Sequence, residues 1–419
     1  MRRPGRLEQL VFVAAAVVIV LHTLANAYLF VEPGVARSEH LLAGLVPTAI
    51  VAAAAAFYAR MPAGLRASLA LVFGALALVA GGVSVSAARR GMLAADDWTG
   101  LLLVAAGAAL VAVGGWVLWA SRKTGGSPWW RVVRRVLLAV AAVFVLYWVV
   151  LPISFAIFAT ERPRDPVGAV DLGRPHRDVT LTTSDGLRLS AWYAAPRNGA
   201  VVITFPRGWT ASQARMLVRN GFGVLMVDPR GYGSSEGDPN AYGWGSTRDI
   251  DAAVAWLQAQ PGVEGGSIGG LGLSVGGEQM IEAAAGNDGL RAVVSEGAGV
   301  RSVREALLRR GPNALELALQ YPQDLVQTAA VWVLSGEAPP SSLADAAPRI
   351  APRAVSFIYG EDGQAIEPAV NPAYYDAAGE PKEIWQVPGA GHTGGIRAQP
   401  AEYERRVVTF FEEQLLESR

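Results

Sequence analysis

The sequence predicts two parts of different fold class: an α-helical membrane region, then an α/β domain with a mostly parallel eight-stranded sheet and a helical cap insertion. Three observations predict this. Five apolar runs of membrane-spanning length crowd in before residue 160. Beyond it, eight short apolar runs alternate with helical stretches. One serine sits where such a strand gives way to a helix.

The apolar runs are 10–31, 41–59, 65–87, 98–120 and 136–158. Each holds about 19–23 residues, enough to cross a hydrocarbon layer of roughly 30 Å at 1.5 Å per residue. None carries Asp, Glu, Lys or Arg in its interior, and none has the polar stripe of a soluble core helix. The whole chain is 52% hydrophobic and only 17% charged, so part of it lies outside water. Residues 1–159 therefore form the expected membrane region, in contact with the lipid bilayer.

The connections set the orientation. Arg2, Arg3, Arg6, Arg60, Arg66, Arg122, Lys123, Arg131, Arg134 and Arg135 fall on one side. The other side holds Arg37, Arg89 and Arg90 beside Glu32, Glu39, Asp96 and Asp97. Positive charge marks the cytoplasmic side, so five crossings put the C-terminal domain outside. A rival reading makes the first run a signal peptide cleaved near Ala25-Asn26-Ala27, and it also leaves that domain outside. His22 and Asn26 lie one helical turn apart in the first run. An interhelical hydrogen bond is the plainer reading of such a pair, a functional site the sharper one.

Residues 160–178 are rich in Pro, Gly and charge and read as a linker. The α/β domain, 179–419, follows. Its expected strands are Val179–Thr183, Leu187–Ala195, Ala200–Phe205, Gly223–Asp228, Ser267–Leu273, Leu290–Ser295, Ala354–Tyr359 and Glu383–Val387. Helical patterns fall at Ala211–Asn220, Thr247–Gln260, Val275–Ala285 and Ala401–Leu416. Asp185-Gly186 predicts a hairpin between the first two strands. The cap insertion spans about residues 300–347, with helices Val303–Arg310 and Ala314–Leu334 broken at Gly311-Pro312. Its Leu residues and Trp332 read as lid or as buried packing, packing being the plainer.

Formal net charge is zero, which gives no reason to expect nucleic acid. Cysteine is absent, which excludes disulfides, thiolate metal sites and a cysteine nucleophile. No metal and no organic cofactor is expected.

Three Gly-x-Ser-x-Gly matches occur, an easy coincidence in a chain with 47 glycines. Gly233–Gly237 runs into a loop, and Gly265–Gly269 opens a strand. Only Gly272-Leu-Ser274-Val-Gly276 ends a strand and starts a helix, the setting that a nucleophile elbow requires. Such a serine needs a base. His22 and His40 belong to the membrane part and His176 precedes the first strand, which leaves His392 in a glycine-rich loop after the last strand. The third member should be an acid after the preceding strand. Asp362 is the first choice, Glu361 the second and Glu367 the third. Backbone amides of Val275 and Trp209, with Gly208 next, are the candidate oxyanion donors.

With these residues in place, residues 178–417 resemble the α/β-hydrolase superfamily. The branch shared by prolyl-oligopeptidase-like and BEM46-like serine hydrolases is the most similar. The resemblance rests on Ser184-Asp-Gly-Leu187, Asp228-Pro-Arg-Gly-Tyr-Gly-Ser-Ser-Glu-Gly237, Gly272–Gly276 and Gly391-His392. It implies that Asp228, Arg230 and the serines beside them hold a loop and do no chemistry. Two departures stand out. Relatives usually have His-Gly where this chain has Arg207-Gly208, which would alter the charge of the pocket. They also place an Asp where this chain has Gly363.

The expectation is a membrane-anchored serine hydrolase acting on an ester, thioester or amide bond of a small-molecule, lipid or peptide substrate. An acyltransferase using the same serine and a catalytically silent binding domain of the envelope are the alternatives.

Overall fold

The structure is a computed structural model that describes residues 4–92, 97–122, 127–164, 167–264, 266–308 and 314–417. Arg2, Arg3, Asp96, Lys123, Gly265 and the expected helix break at Gly311-Pro312 lie outside the described residues. The chain divides into two compact units, one of residues 1–163 with 318–337, the other of residues 164–317 with 338–419.

The first unit contains α1 (Arg6–Tyr28), α2 (Leu41–Phe57), α3 (Ala63–Arg89), α4 (Asp97–Ala120), α5 (Pro128–Val145) and α6 (Leu151–Thr160). A π-turn, Leu146–Val150, joins α5 to α6 without a break. Among the described residues, five helical stretches are thus long and apolar enough to cross a membrane: Arg6–Tyr28, Arg37–Arg60, Ala63–Arg89, Asp97–Ala120 and Pro128–Thr160. The chain is a multi-pass membrane protein.

Without a hydrophobic force between helices in lipid, close packing needs small residues. Gly74 of α3 and Gly107 of α4 supply it. A Cβ at Gly74 would sit 2.9 Å from the Gly107 carbonyl oxygen, and one at Gly107 2.8 Å from that of Gly74. Large apolar side chains such as Leu21, Ile50, Leu102 and Leu137 face outward instead. His22 is buried between helices and its Nδ1 lies 2.9 Å from Thr99 Oγ1 of α4, an interhelical hydrogen bond.

The second unit holds an eight-stranded sheet: β1 (Arg177–Thr182), β2 (Arg188–Ala194), β3 (Val201–Phe205), β4 (Gly223–Val227), β5 (Ile268–Leu273), β6 (Ala292–Glu296), β7 (Ala354–Asp362) and β8 (Lys382–Gly391). The order is β1-β2-β4-β3-β5-β6-β7-β8. Only β2 runs against its neighbours; β4, β3 and β5 to β8 are mutually parallel. The β1–β2 hairpin closes where the Asp185-Gly186 signal places it, with Gly186 at φ +89° and its amide donating to Thr183 O.

Helices cover both faces, which is why β3 to β6 are buried throughout. One face packs under α7 (Ala211–Arg219) and α14 (Pro400–Glu412), through Met216, Leu217, Tyr403 and Phe411. The other packs under α8 (Thr247–Gln258), α9 (Val275–Gly286) and α12 (Glu367–Ala377), through Ile250, Met280, Ile281 and Tyr374. Leu172, in the segment expected to be a linker, is buried in the first of these cores.

The insertion between β6 and β7 contains a short 3-10 turn, Val303–Leu308, and α10 (Ala314–Ser335). Residues 318–337 belong to the helical unit. Trp332 is 46% exposed, so it is not buried packing. Two single helical turns, α11 (Leu343–Ala346) and α13 (Gly395–Ala398), complete the α-helices described.

Candidate active site

Ser274 occupies the sharp turn between β5 and α9 at φ +55°, ψ −126°. An L-residue in that region is strained, and such strain persists only where surrounding structure enforces it. Two glycines enforce it by letting backbones touch. A Cβ at Gly272 would lie 2.1 Å from Gly276 O, and one at Gly276 2.3 Å from Phe205 O. The Ser274 amide donates to Glu296 O of β6 at 2.8 Å, and its own carbonyl accepts from Gly277 N. The hydroxyl is thereby held at the C-terminal end of the parallel strands.

His392 follows β8. Its Nε2 lies 2.9 Å from Ser274 Oγ and its Nδ1 2.6 Å from a carboxylate oxygen, Oε1 of Glu367. With the Nδ1 proton pointing at the carboxylate, Nε2 is left to accept the serine proton.

The acid within reach of His392 is Glu367 rather than Asp362. Strand β7 runs on through Asp362, which pairs with Gly391, and its last two side chains are exposed. Glu361 instead accepts from Gly389 N at 2.9 Å. The chain then turns back, and Glu367 opens α12, fully buried. Its carboxylate also accepts from Gln364 N at 2.7 Å and Gly360 N at 3.4 Å, and it sits at a helix N-terminus, where negative charge is favoured. A Cβ at Gly363 would lie 2.6 Å from Glu367 Oε2. Glycine at position 363 thus leaves room for the acid arriving from the next helix.

A second buried carboxylate was not singled out by the sequence. Glu296 ends β6, and it accepts from Gly395 N at 2.9 Å and Tyr403 Oη–H at 2.7 Å. It ties the histidine loop to α14. Burial pushes its carboxyl up, and the Tyr403 hydrogen bond opposes that. The available signal was a charged residue at the C-terminal end of an otherwise apolar parallel strand.

Val275 is the first residue of α9, so its amide has no partner within the helix. Trp209 fits the oxyanion role less well than expected. Its amide donates to Pro206 O at 3.2 Å, closing a turn, and its side chain is 63% exposed. Arg207 does not charge a pocket. It is buried, ion-paired with Asp228, and its guanidinium lies 4.3 Å from the Trp192 ring centroid. Burial pushes Asp228 up to about 6 despite Arg207 beside it. Arg230 is held by Asp249 at 2.7 Å and Asp185 at 2.9 Å, and Ser235 Oγ–H donates to Asp228 O at 2.8 Å. These side chains hold the loop after β4, as the resemblance implies.

Sheet order, elbow and histidine loop together point to one superfamily. Residues 170–367 match the X-Pro dipeptidyl-peptidase family, S15. The uncharacterized protein Rv2307c of Mycobacterium tuberculosis is 31% identical over 227 residues, covering 52% of this chain and 72% of that one. The chain belongs with it to one family of α/β hydrolases. Over shorter stretches the hydrolase is similar to thiohydrolase aneE of Aspergillus aculeatus (32% over 136 residues, 29% of this chain and 41% of that one). It is also similar to polyketide transferase grgF of a Penicillium species (34% over 128 residues, 26% and 41%). The crystal structure of GrgF superposes with TM-score 0.48 at 21% identity, over 58% of this chain and 99% of that one.

Proposed function

We propose that the protein is a membrane-anchored serine hydrolase that cleaves a carboxylic ester, thioester or amide through an acyl-enzyme on Ser274. His392 takes the serine proton as Oγ attacks the acyl carbon and returns it to the leaving group. Water then releases the acid by the same route. Glu367 fixes the imidazole tautomer and stabilises the imidazolium. The Val275 amide stabilises the oxyanion, joined by an amide of the Gly208–Trp209 turn when substrate competes for it.

One observation carries the reading: a strained serine, Ser274, 2.9 Å from an imidazole whose other nitrogen is 2.6 Å from a buried carboxylate. A binding domain without chemistry has no use for that strain. Acyl transfer uses the same acyl-enzyme with an acceptor in place of water. The similarity to a polyketide transferase favours keeping it as the second reading.

Arginine asymmetry among the connections supports an extracytoplasmic hydrolase unit, with residues 160–178 as the exit from the membrane. Labelling of membranes with a fluorophosphonate probe tests the chemistry. Wild type labels and Ser274→Ala does not; equal labelling of the two refutes the enzyme reading. Offering a thiol or alcohol acceptor during turnover separates transfer from hydrolysis. External protease applied to intact cells digests the hydrolase unit if it lies outside, and full protection overturns that placement.

A further inference from the structure

Helix α10 carries its polarity the wrong way round for a helix in water. At 100° per residue, Ala318, Leu319, Pro322, Leu325, Ala329 and Trp332 share one face, and all six are exposed. Leu325 and Trp332 are 47% and 46% exposed. The opposite face carries Gln320, Asp324 and Gln327, each half-buried and each with a polar partner. Val331, 1% exposed, lies on that same inner side. A helix on a water-soluble domain buries its apolar stripe and solvates its polar one. Here the polar side faces protein and the apolar side faces out, the arrangement of a helix surrounded by hydrocarbon.

Two landmarks set its depth. The Trp148 indole N–H donates to Leu319 O at 2.8 Å. Trp148 lies in the spanning stretch Pro128–Thr160, about 18 Å of helix from its Thr160 end at 1.5 Å per residue. At the other end, Gly336, at φ +71°, comes so close to the α1–α2 connection that a Cβ there would lie 2.7 Å from Glu39 O. Residues 319–336 therefore run from the level of a span's interior to the level of a connection.

We propose that residues 318–335 of α10 are embedded in the bilayer, with the Leu319–Leu325–Trp332 face against phospholipid acyl chains. Its C-terminal end reaches the level of the α1–α2 connection, and the insertion between β6 and β7 contributes it. The occupant of the stripe is lipid, because Trp148, bonded to Leu319 of this helix, lies inside an apolar stretch of spanning length whose Leu146 and Leu151 are themselves exposed. Most of its backbone is satisfied within the helix, and Gln320, Asp324 and Gln327 each have a polar partner.

The absence of cysteine makes the test direct. Leu325→Cys and Ala329→Cys report on the stripe, and Ala338→Cys reports on the exposed segment beyond the helix. In phosphatidylcholine–phosphatidylglycerol vesicles, a membrane-impermeant maleimide should modify the stripe variants roughly tenfold or more slowly than Ala338→Cys, the difference vanishing in denaturant. An NBD fluorophore attached at either stripe position should be quenched by doxyl-labelled phosphatidylcholine. Modification as fast as at Ala338→Cys overturns the proposal. Protection without quenching by doxyl lipid also overturns it, since a second copy or another protein segment would then cover the stripe.

Discussion

Replacing Glu367 by Gln isolates what a buried carboxylate does for His392. The side chain keeps its length and its place at the start of α12, and its one oxygen, in the Oε1 position, still accepts from Gln364 N, with only the long 3.4 Å contact from Gly360 N to Oε2 given up. What disappears is the negative charge 2.6 Å from Nδ1. Both partners are shielded, Glu367 completely and His392 to 29% exposure, so solvent screens little of the interaction. Removing one member of such a pair costs roughly 3–5 kcal/mol. The full cost falls on the step in which the imidazole becomes charged, and at 1.36 kcal/mol per tenfold it corresponds to about 10²–10⁴-fold in rate. The assay is hydrolysis of a p-nitrophenyl ester, with the fluorophosphonate labelling rate as a second readout. Asp362→Asn is the comparison. Its side chain is exposed at the end of β7, and the rate should stay within about twofold, as for surface changes generally. A Glu367→Gln enzyme within tenfold of wild type, or an Asp362→Asn enzyme that loses a hundredfold, would refute the assignment.

Further outcomes follow from neighbouring contacts. Gly276→Ala puts a methyl 2.3 Å from the Phe205 carbonyl, a clash with backbone that no rotamer relieves, so labelling of Ser274 should be abolished or the protein should fail to fold. Glu278, buried in α9, is raised to about 7, burial outweighing Arg301 nearby. Because its folded value lies above the ordinary 4.5, the stability it contributes is complete below about pH 4.5 and lost as pH rises through about 7. Glu278→Gln should thus be more stable than wild type at pH 8 by on the order of 1–3 kcal/mol, read as a higher melting temperature, with the gain vanishing toward pH 4.5. Arg207→Met strands Asp228 in the interior and should cost about 3–5 kcal/mol in denaturant melts. Adding Asp228→Leu should recover most of that loss, and a double variant no better than the single would show that the pair is not the reason.

The order of strands and helices was legible because it rests on local pattern. Apolar runs of spanning length, period-two stretches and the Asp185-Gly186 turn each declare themselves within a few residues. Ser274 and His392 were legible for a related reason. Each is singled out by the element it follows, β5 or β8, and few competitors share that setting. The acid was not, since two candidates, Glu361 and Asp362, sit nearer the strand than Glu367 does. Which one meets His392 depends on how far β7 continues and on space opened by Gly363, neither of which has a local signature. Glu296 was passed over because its partners, Gly395 and Tyr403, lie about a hundred residues away.

Sequence alone determined that this chain has a membrane half and a sheet half, and that Ser274 stands at the turn from a strand into a helix, because hydrophobic period and element order are properties of short segments. Only the tertiary structure decided which carboxylate meets the histidine, that Arg207 is spent on Asp228, and that α10 turns its apolar face outward. Those outcomes are set by what packs against each side chain, and the packing partners come from distant parts of the chain.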